Sequence, residues 1–137
     1  MKKIKKRSEC PISSALDIIG DKWSLLIIRD IALSGKNTYN EFLKGEEKIA
    51  TNILADRLVM LDEAGILVKE EHPDSKAKIF YRLTQMGIDL VPLLVETILW
   101  SDKYLVISPQ AKEFATLLRQ NKAGMIEHIS MGLQKEH

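Results

Sequence analysis

Between Gly35 and Thr84 the sequence sets two helical segments and a pair of β-forming runs in immediate succession. Thr38 and Glu41 are spaced as a capping box, in which the hydroxyl satisfies one free backbone N–H and the carboxylate reaches back to another. The helix they open is short, with Phe42 and Leu43 as its packing residues, and Lys44-Gly45-Glu46-Glu47-Lys48 forms the turn that follows. From about Ala50 to Ala64, Leu54, Leu58 and Leu61 recur at helical spacing, which leaves Asn52, Asp56, Val59 and Glu63 on the opposite side. Gly65 stops this helix. Ile66 to His72 and Ile79 to Thr84 are then rich in β-formers and flank the turn signal Pro73-Asp74-Ser75, so a hairpin is expected.

Helix, helix and hairpin in that order make the winged helix-turn-helix plan, in which the second helix can enter a DNA groove while the hairpin reaches the flanking backbone. The expected fold is mainly α with a small β-hairpin wing. Upstream, Ser13 or Ser14 is placed to cap a short helix ended by Gly20, and Lys22 to Leu33 forms a strongly apolar, central one ended by Gly35. Downstream, Thr84 is expected to cap a long dimerisation helix running to about Leu105 and kinked at Pro92, with Leu90, Leu94, Ile98 and Trp100 as interface candidates. Ser108-Pro109 opens a further helix, and Gly124 divides it from a last amphipathic segment. Three regions are anticipated: a basic flexible tail (1–9), a winged-helix domain including the dimerisation helix (10–105) and a helical C-terminal extension (106–137).

At 137 residues and 45% apolar content the chain has the composition of an ordinary globular protein. The basic start is not followed by an uninterrupted apolar stretch, so a cytoplasmic protein with no membrane span is expected. A single cysteine excludes an internal disulfide framework and a Cys-rich metal site, and His72, His128 and His137 lack ligand spacing, so neither metal nor cofactor is expected. The net charge of +1 is unevenly distributed. Residues 1–9 carry five Lys/Arg against one Glu, whereas residues 10–105 carry eleven against fifteen Asp/Glu. An acidic body counts against phosphate binding unless local placement restores it. Lys36, Lys44, Lys48, Arg57, Lys76 and Lys78 all fall between the first turn and the wing, which is either a basic stripe or a set of solvated surface groups.

Several segments taken together resemble the HxlR-type branch of the winged-helix transcriptional regulators, related in fold to the MarR group. They are Cys10-Pro11-Ile12, Asp17-Ile18-Ile19-Gly20-Asp21-Lys22-Trp23, Asn40-Glu41-Phe42, Ile49-Ala50-Thr51-Asn52-Ile53-Leu54, Leu61-Asp62-Glu63-Ala64-Gly65-Ile66-Leu67 and Tyr81-Arg82-Leu83-Thr84-Gln85-Met86-Gly87. The resemblance spans Cys10 to about Tyr104. It implies a homodimeric, DNA-binding regulator, repressor or activator. Two-fold symmetry then predicts a pseudo-palindromic site on double-stranded DNA, and whether an unknown small-molecule effector is a further partner stays open. The resemblance also implies that base-reading side chains fall at Thr51, Asn52 and Asp56, where Asn suits adenine, Thr a thymine methyl and Asp a cytosine. Ala50 stands where the family commonly has serine, which removes one expected cap or polar contact.

The DNA-contacting set expected from the sequence is Thr38, Lys44, Lys48, Thr51, Asn52, Asp56, Arg57, Lys76 and Lys78. Arg57 either meets phosphate or pairs with a nearby carboxylate. Cys10 follows a cationic tail and precedes a helix start, both of which favour thiolate, and the resemblance implies sensing of electrophiles or oxidants at such a position. The competing role for Cys10 is that of an inert, partly buried thiol. Trp23, Phe80, Trp100 and Tyr104 either line an effector pocket or serve as core and interface. The alternative to a DNA-binding regulator is a winged-helix protein-protein interaction module without DNA binding, which the acidic body and Asp56 favour. An enzyme is not expected, because no nucleophile-base pair, phosphate-cradling loop or metal set is present.

Overall fold

The computed structural model describes residues 5–72 and 74–135, the side chains of residues 72 and 75–77 excepted. Lys2, Lys3, Pro73 and His137, and the side chain of Lys76, therefore lie outside the described residues. The chain forms two compact units whose boundary falls between Gly87 and Ile88.

In the first unit, α1 (Pro11–Ile19) begins with Cys10 at its N-cap position rather than at Ser13 or Ser14. Pro11 occupies the first turn, where its missing N–H is not needed, and that sets the start earlier than the serines would. α2 (Ser24–Leu33) starts two residues later than expected, because Asp21 stops the chain in an Asx turn. Its carboxylate accepts from the amides of Trp23 at 2.8 Å and Ser24 at 2.9 Å. α2 buries Ile27, Ile28 and Ile31, as a central helix should.

α3 (Tyr39–Leu43) carries the complete capping box: the Glu41 amide donates to Thr38 Oγ1 at 3.3 Å, and the Thr38 amide donates to the Glu41 carboxylate at 3.1 Å. α4 (Thr51–Glu63) buries Leu54, Leu58 and Leu61. Burying each of these side chains contributes about 1.5–3 kcal/mol to holding the helix in place. Thr51 is the first helical residue and not the cap; Ala50 has that position and supplies no side-chain bond. At the other end, Gly65 at φ 85 allows a Schellman closure, with the Ile66 amide donating to the Leu61 carbonyl at 2.9 Å and the Gly65 amide to that of Asp62 at 3.0 Å.

β1 (Leu67–His72) and β2 (Ser75–Leu83) form the antiparallel wing, paired from Leu67 with Leu83 to Glu71 with Ile79, with an irregularity before His72 meets Ser75. β2 starts four residues earlier than the β-formers alone indicate, since pairing with β1 extends it. The Tyr81 amide donates to the Asn37 carbonyl at 2.8 Å, which ties the wing to the loop before α3.

The expected single helix from Thr84 to Leu105 is two helices, α5 (Gln85–Ile88) and α6 (Val91–Tyr104). Thr84 does cap, accepting from the Gly87 amide at 3.3 Å, but it caps only α5. Pro92 is not a kink inside a helix. It lies in the first turn of α6, the one place where proline disturbs no helical bond.

In the second unit, α6 packs with α7 (Pro109–Gln120) and α8 (Lys122–Gln134). Val91, Leu94, Val95, Ala115, Leu118 and Leu133 are buried there. Asp102 pairs with Arg119 at 2.6 Å and Lys112 at 3.4 Å, and Glu96 with Lys122 at 2.6 Å, linking the helices at their edges. Ser108 caps α7 as expected. The break before α8 comes at Asn121, whose side chain accepts from the Gly124 amide at 3.1 Å, so Gly124 lies inside the helix it was expected to precede.

Candidate nucleic-acid interface

α4 turns one side into the core and leaves the other in solvent. Thr51, Asn52, Ala55, Asp56, Val59 and Asp62 are all exposed, forming a stripe along its outer side. The first turn is fixed from α3, because the Tyr39 hydroxyl donates to the Thr51 carbonyl at 3.0 Å. Val59, 57% exposed, is the larger of two apolar groups on the stripe, beside Ala55, and suits a thymine methyl. The sequence reading placed it on this side but not among the contacts; its exposure is the signal, and that is a tertiary fact. Tyr39 carried no comparable signal.

The expected residues divide into three groups. Lys44 and Lys48 are exposed in the turn before α4, and Lys78 is exposed on the wing. Lys48 is held at φ 56, in the left-handed region, where a residue with a side chain is strained. Thr51, Asn52 and Asp56 come together on the stripe. Thr38 is half-buried, with its hydroxyl engaged by Glu41 at 2.9 Å, so its work in this structure is capping.

Arg57 is paired with two carboxylates in this structure. Its Nε donates to Asp56 Oδ2 at 3.2 Å, its Nη2 pairs with the same oxygen, and its Nη1 lies 3.3 Å from Asp21 Oδ2. The hydrogen bond with Asp56 raises the Arg57 pKa above its ordinary value; burial opposes that, and Asp21 adds to it. Burial likewise pushes the Asp21 carboxyl up, but the Ser24 hydroxyl, the Trp23 and Ser24 amides and the Arg57 charge outweigh it and hold the pKa below its usual range.

The turn before α4 is braced from α2. Arg29 pairs with Glu47 at 2.9 Å and with the buried Asp30 at 2.8 Å. The bond to Glu47 is the main cause raising the Arg29 pKa, and the same bond lowers that of Glu47.

Cys10 is an exposed, free thiol at the start of α1. The nearby Arg7 is paired with Asp17 at 2.7 Å. A cavity beside Trp23, Phe42 and Leu54 has about 20 Å³, room for about one water and not for an organic effector. Trp100 and Tyr104 pack against each other in a tilted arrangement, with ring centroids 5.5 Å apart and planes 49° apart. Of the dimerisation candidates, Leu94 is buried within its own chain, Leu90 and Ile98 are half-buried, and Trp100 is 58% exposed. Leu93 and Tyr104 join Trp100 as exposed apolar groups of α6. No helix among the described residues is long and apolar enough to cross a membrane.

The chain is similar to known proteins. A model of HxlR-like helix-turn-helix proteins matches residues 18–109. The chain is 34% identical over 95 residues to the HTH-type transcriptional regulator YdeP of Bacillus subtilis, covering 69% of this chain and 73% of that one. Among solved structures, PA1607 matches with a TM-score of 0.67 and 42% identity over 76% of this chain and 70% of its own. The oxidized form of the redox regulator HypR matches with a TM-score of 0.63 and 28% identity, over 72% of this chain and 100% of its own. With the winged fold and the solvent-facing side of α4 in place, this chain belongs to the HxlR-like helix-turn-helix family and is a DNA-binding transcriptional regulator.

Proposed function

We propose that the chain acts in the cytoplasm as a homodimer that sets the α4 of each copy into successive major-groove faces of a pseudo-palindromic operator, about 10 bp apart. The observation that carries this reading is the outer side of α4, open to solvent from Thr51 to Asp62 while Leu54, Leu58 and Leu61 anchor it from within. Thr51, Asn52, Asp56 and Val59 read base edges. Lys44 and Lys48 from the turn, with Lys76 and Lys78 from the wing, meet phosphates. The exposed row Leu93, Trp100 and Tyr104 on α6 joins the two copies. Binding at a promoter regulates transcription, as a repressor where it excludes polymerase and as an activator where it recruits it.

Association with duplex DNA at several salt concentrations tests this. Affinity should fall steeply with salt, and replacing Lys44 and Lys48 by Ala should reduce the slope by about one per lysine while leaving sequence preference intact. Binding that is absent or independent of salt favours the protein-interaction module.

A second reading concerns Cys10, and its support is the exposed thiol together with the similarity to a redox regulator. Oxidation or alkylation there alters operator binding. As the chain has one cysteine, a disulfide at Cys10 joins it to a thiol on another molecule. Cys10→Ser should abolish the response of DNA binding to an oxidant while sparing basal affinity. An unchanged response would exclude thiol sensing at this residue.

A further inference from the structure

Asp56 poses a physical problem at a surface meant for DNA. A carboxylate on the groove-facing side of a helix is repelled by phosphates, and this one is exposed. Its surroundings answer that problem in two ways. Arg57 places both Nε and Nη2 on the same oxygen, Oδ2, so the charge is offset locally while Oδ1 is left for another donor. Arg57 is in turn held by Asp21, and Asp21 accepts from the Trp23 amide and from both the amide and the hydroxyl of the fully buried Ser24. Asp56 is thus the outer end of a chain of bonds rooted in the core, and its carboxylate is oriented before any partner arrives.

We infer that Asp56 reads cytosine, with Arg57 as the positioning residue that neutralises and aims it. The inference rests on the groove-facing role proposed for α4 and adds what holds and neutralises Asp56 for the cytosine that its chemistry suits. An ionised carboxylate only accepts hydrogen bonds. In the major groove, guanine offers two acceptors and thymine an acceptor beside a methyl group, so neither satisfies it. Adenine has a donor, but the N7 acceptor beside it faces a carboxylate unfavourably. Cytosine presents the N4 amino group with no acceptor of its own beside it. The acidic group therefore excludes three bases and accepts one, and the Arg57 pairing makes that selectivity compatible with a polyanion. Arg57, spent on two carboxylates, is not a phosphate contact.

Selection of bound duplexes from a random pool tests this with full-length wild-type, D56A, D56N and R57Q proteins, each checked by thermal melting. Wild type should enrich a cytosine at one position per half-site. D56A should keep the rest of the consensus and lose that preference by roughly fivefold or more, and D56N should move it toward adenine. R57Q should weaken the cytosine preference and leave the salt slope unchanged. If D56A retains the cytosine, or R57Q lowers the slope by about one with base preference intact, the assignment is overturned and DNA reading by α4 survives. If wild type enriches no sequence at all, the operator reading itself fails and takes this one with it.

Discussion

α4 and α6 are helices of nearly equal length whose outer surfaces differ in the size of their apolar groups. Each buries an apolar row, Leu54, Leu58 and Leu61 in one and Val91, Leu94 and Val95 in the other. On the far side, α4 exposes Thr51, Asn52, Asp56 and Asp62 with Ala55 and Val59 among them, whereas α6 exposes Leu93, Trp100 and Tyr104 among Glu96, Thr97 and Lys103, with Leu105 and Val106 beyond its end. The same period of 3.6 residues therefore serves two purposes, and the outer chemistry decides which. A stripe rich in donors and acceptors suits base edges at little cost when DNA is absent. A stripe carrying a tryptophan 58% exposed and a tyrosine 63% exposed leaves apolar area in water that a second copy can cover.

The largest expected effect breaks the α6 side of this comparison. Replacing Trp100 and Tyr104 together by Asp should yield monomer by light scattering and lower operator affinity by about 100-fold or more, since half-site binding loses the paired contact. A dimer that persists at the same concentration would remove the α6 stripe from the interface. On the α4 side, Leu54→Ala should cost about 2–5 kcal/mol in denaturant unfolding, because Leu54 is fully buried and the helix has no side-chain cap to help it. A loss below about 1 kcal/mol would mean that the recognition helix is not anchored by its leucine row. The smallest effect comes from the turn leading into α4. Lys48→Gly should relieve a left-handed residue and raise stability by up to about 1 kcal/mol, seen as a higher melting temperature, while operator affinity falls through loss of a phosphate contact. Opposite signs in the two measurements would separate the conformational role of this residue from its charge; a drop in both would show that its backbone is not strained.

Much of this was legible in the sequence for local reasons. The Thr38-Glu41 box, the leucine row of α4, the Gly65 stop and the Ser108 cap each depend on residues within one or two helical turns, and the structure has them where the spacing puts them. The helix starts at Cys10 and Ser24, and the end of α5 before Pro92, were misplaced because a neighbouring proline or aspartate outcompeted the more obvious cap. The candidate interface was partly legible. Thr51, Asn52, Asp56, Lys44 and Lys48 could be placed by periodicity and by the turn. Tyr39 holding Thr51, and Asp21 reaching across to Arg57, join residues 12 and 36 positions apart, and no local pattern records such pairs.

The sequence by itself determined the order of helix, helix and wing, the stripe of α4 that would be buried, and the single cysteine that limits any disulfide to a partner molecule. These follow from backbone propensity, side-chain period and composition, all carried by neighbouring residues. Only the tertiary structure decided that Arg57 is committed to Asp21 and Asp56, that Leu94 is core while Leu93 and Tyr104 are surface, and that α6 groups with the C-terminal helices. A step of one residue turns a helix by about 100°, so which of two adjacent apolar groups is covered depends on what packs against them, and that is settled only when distant segments meet.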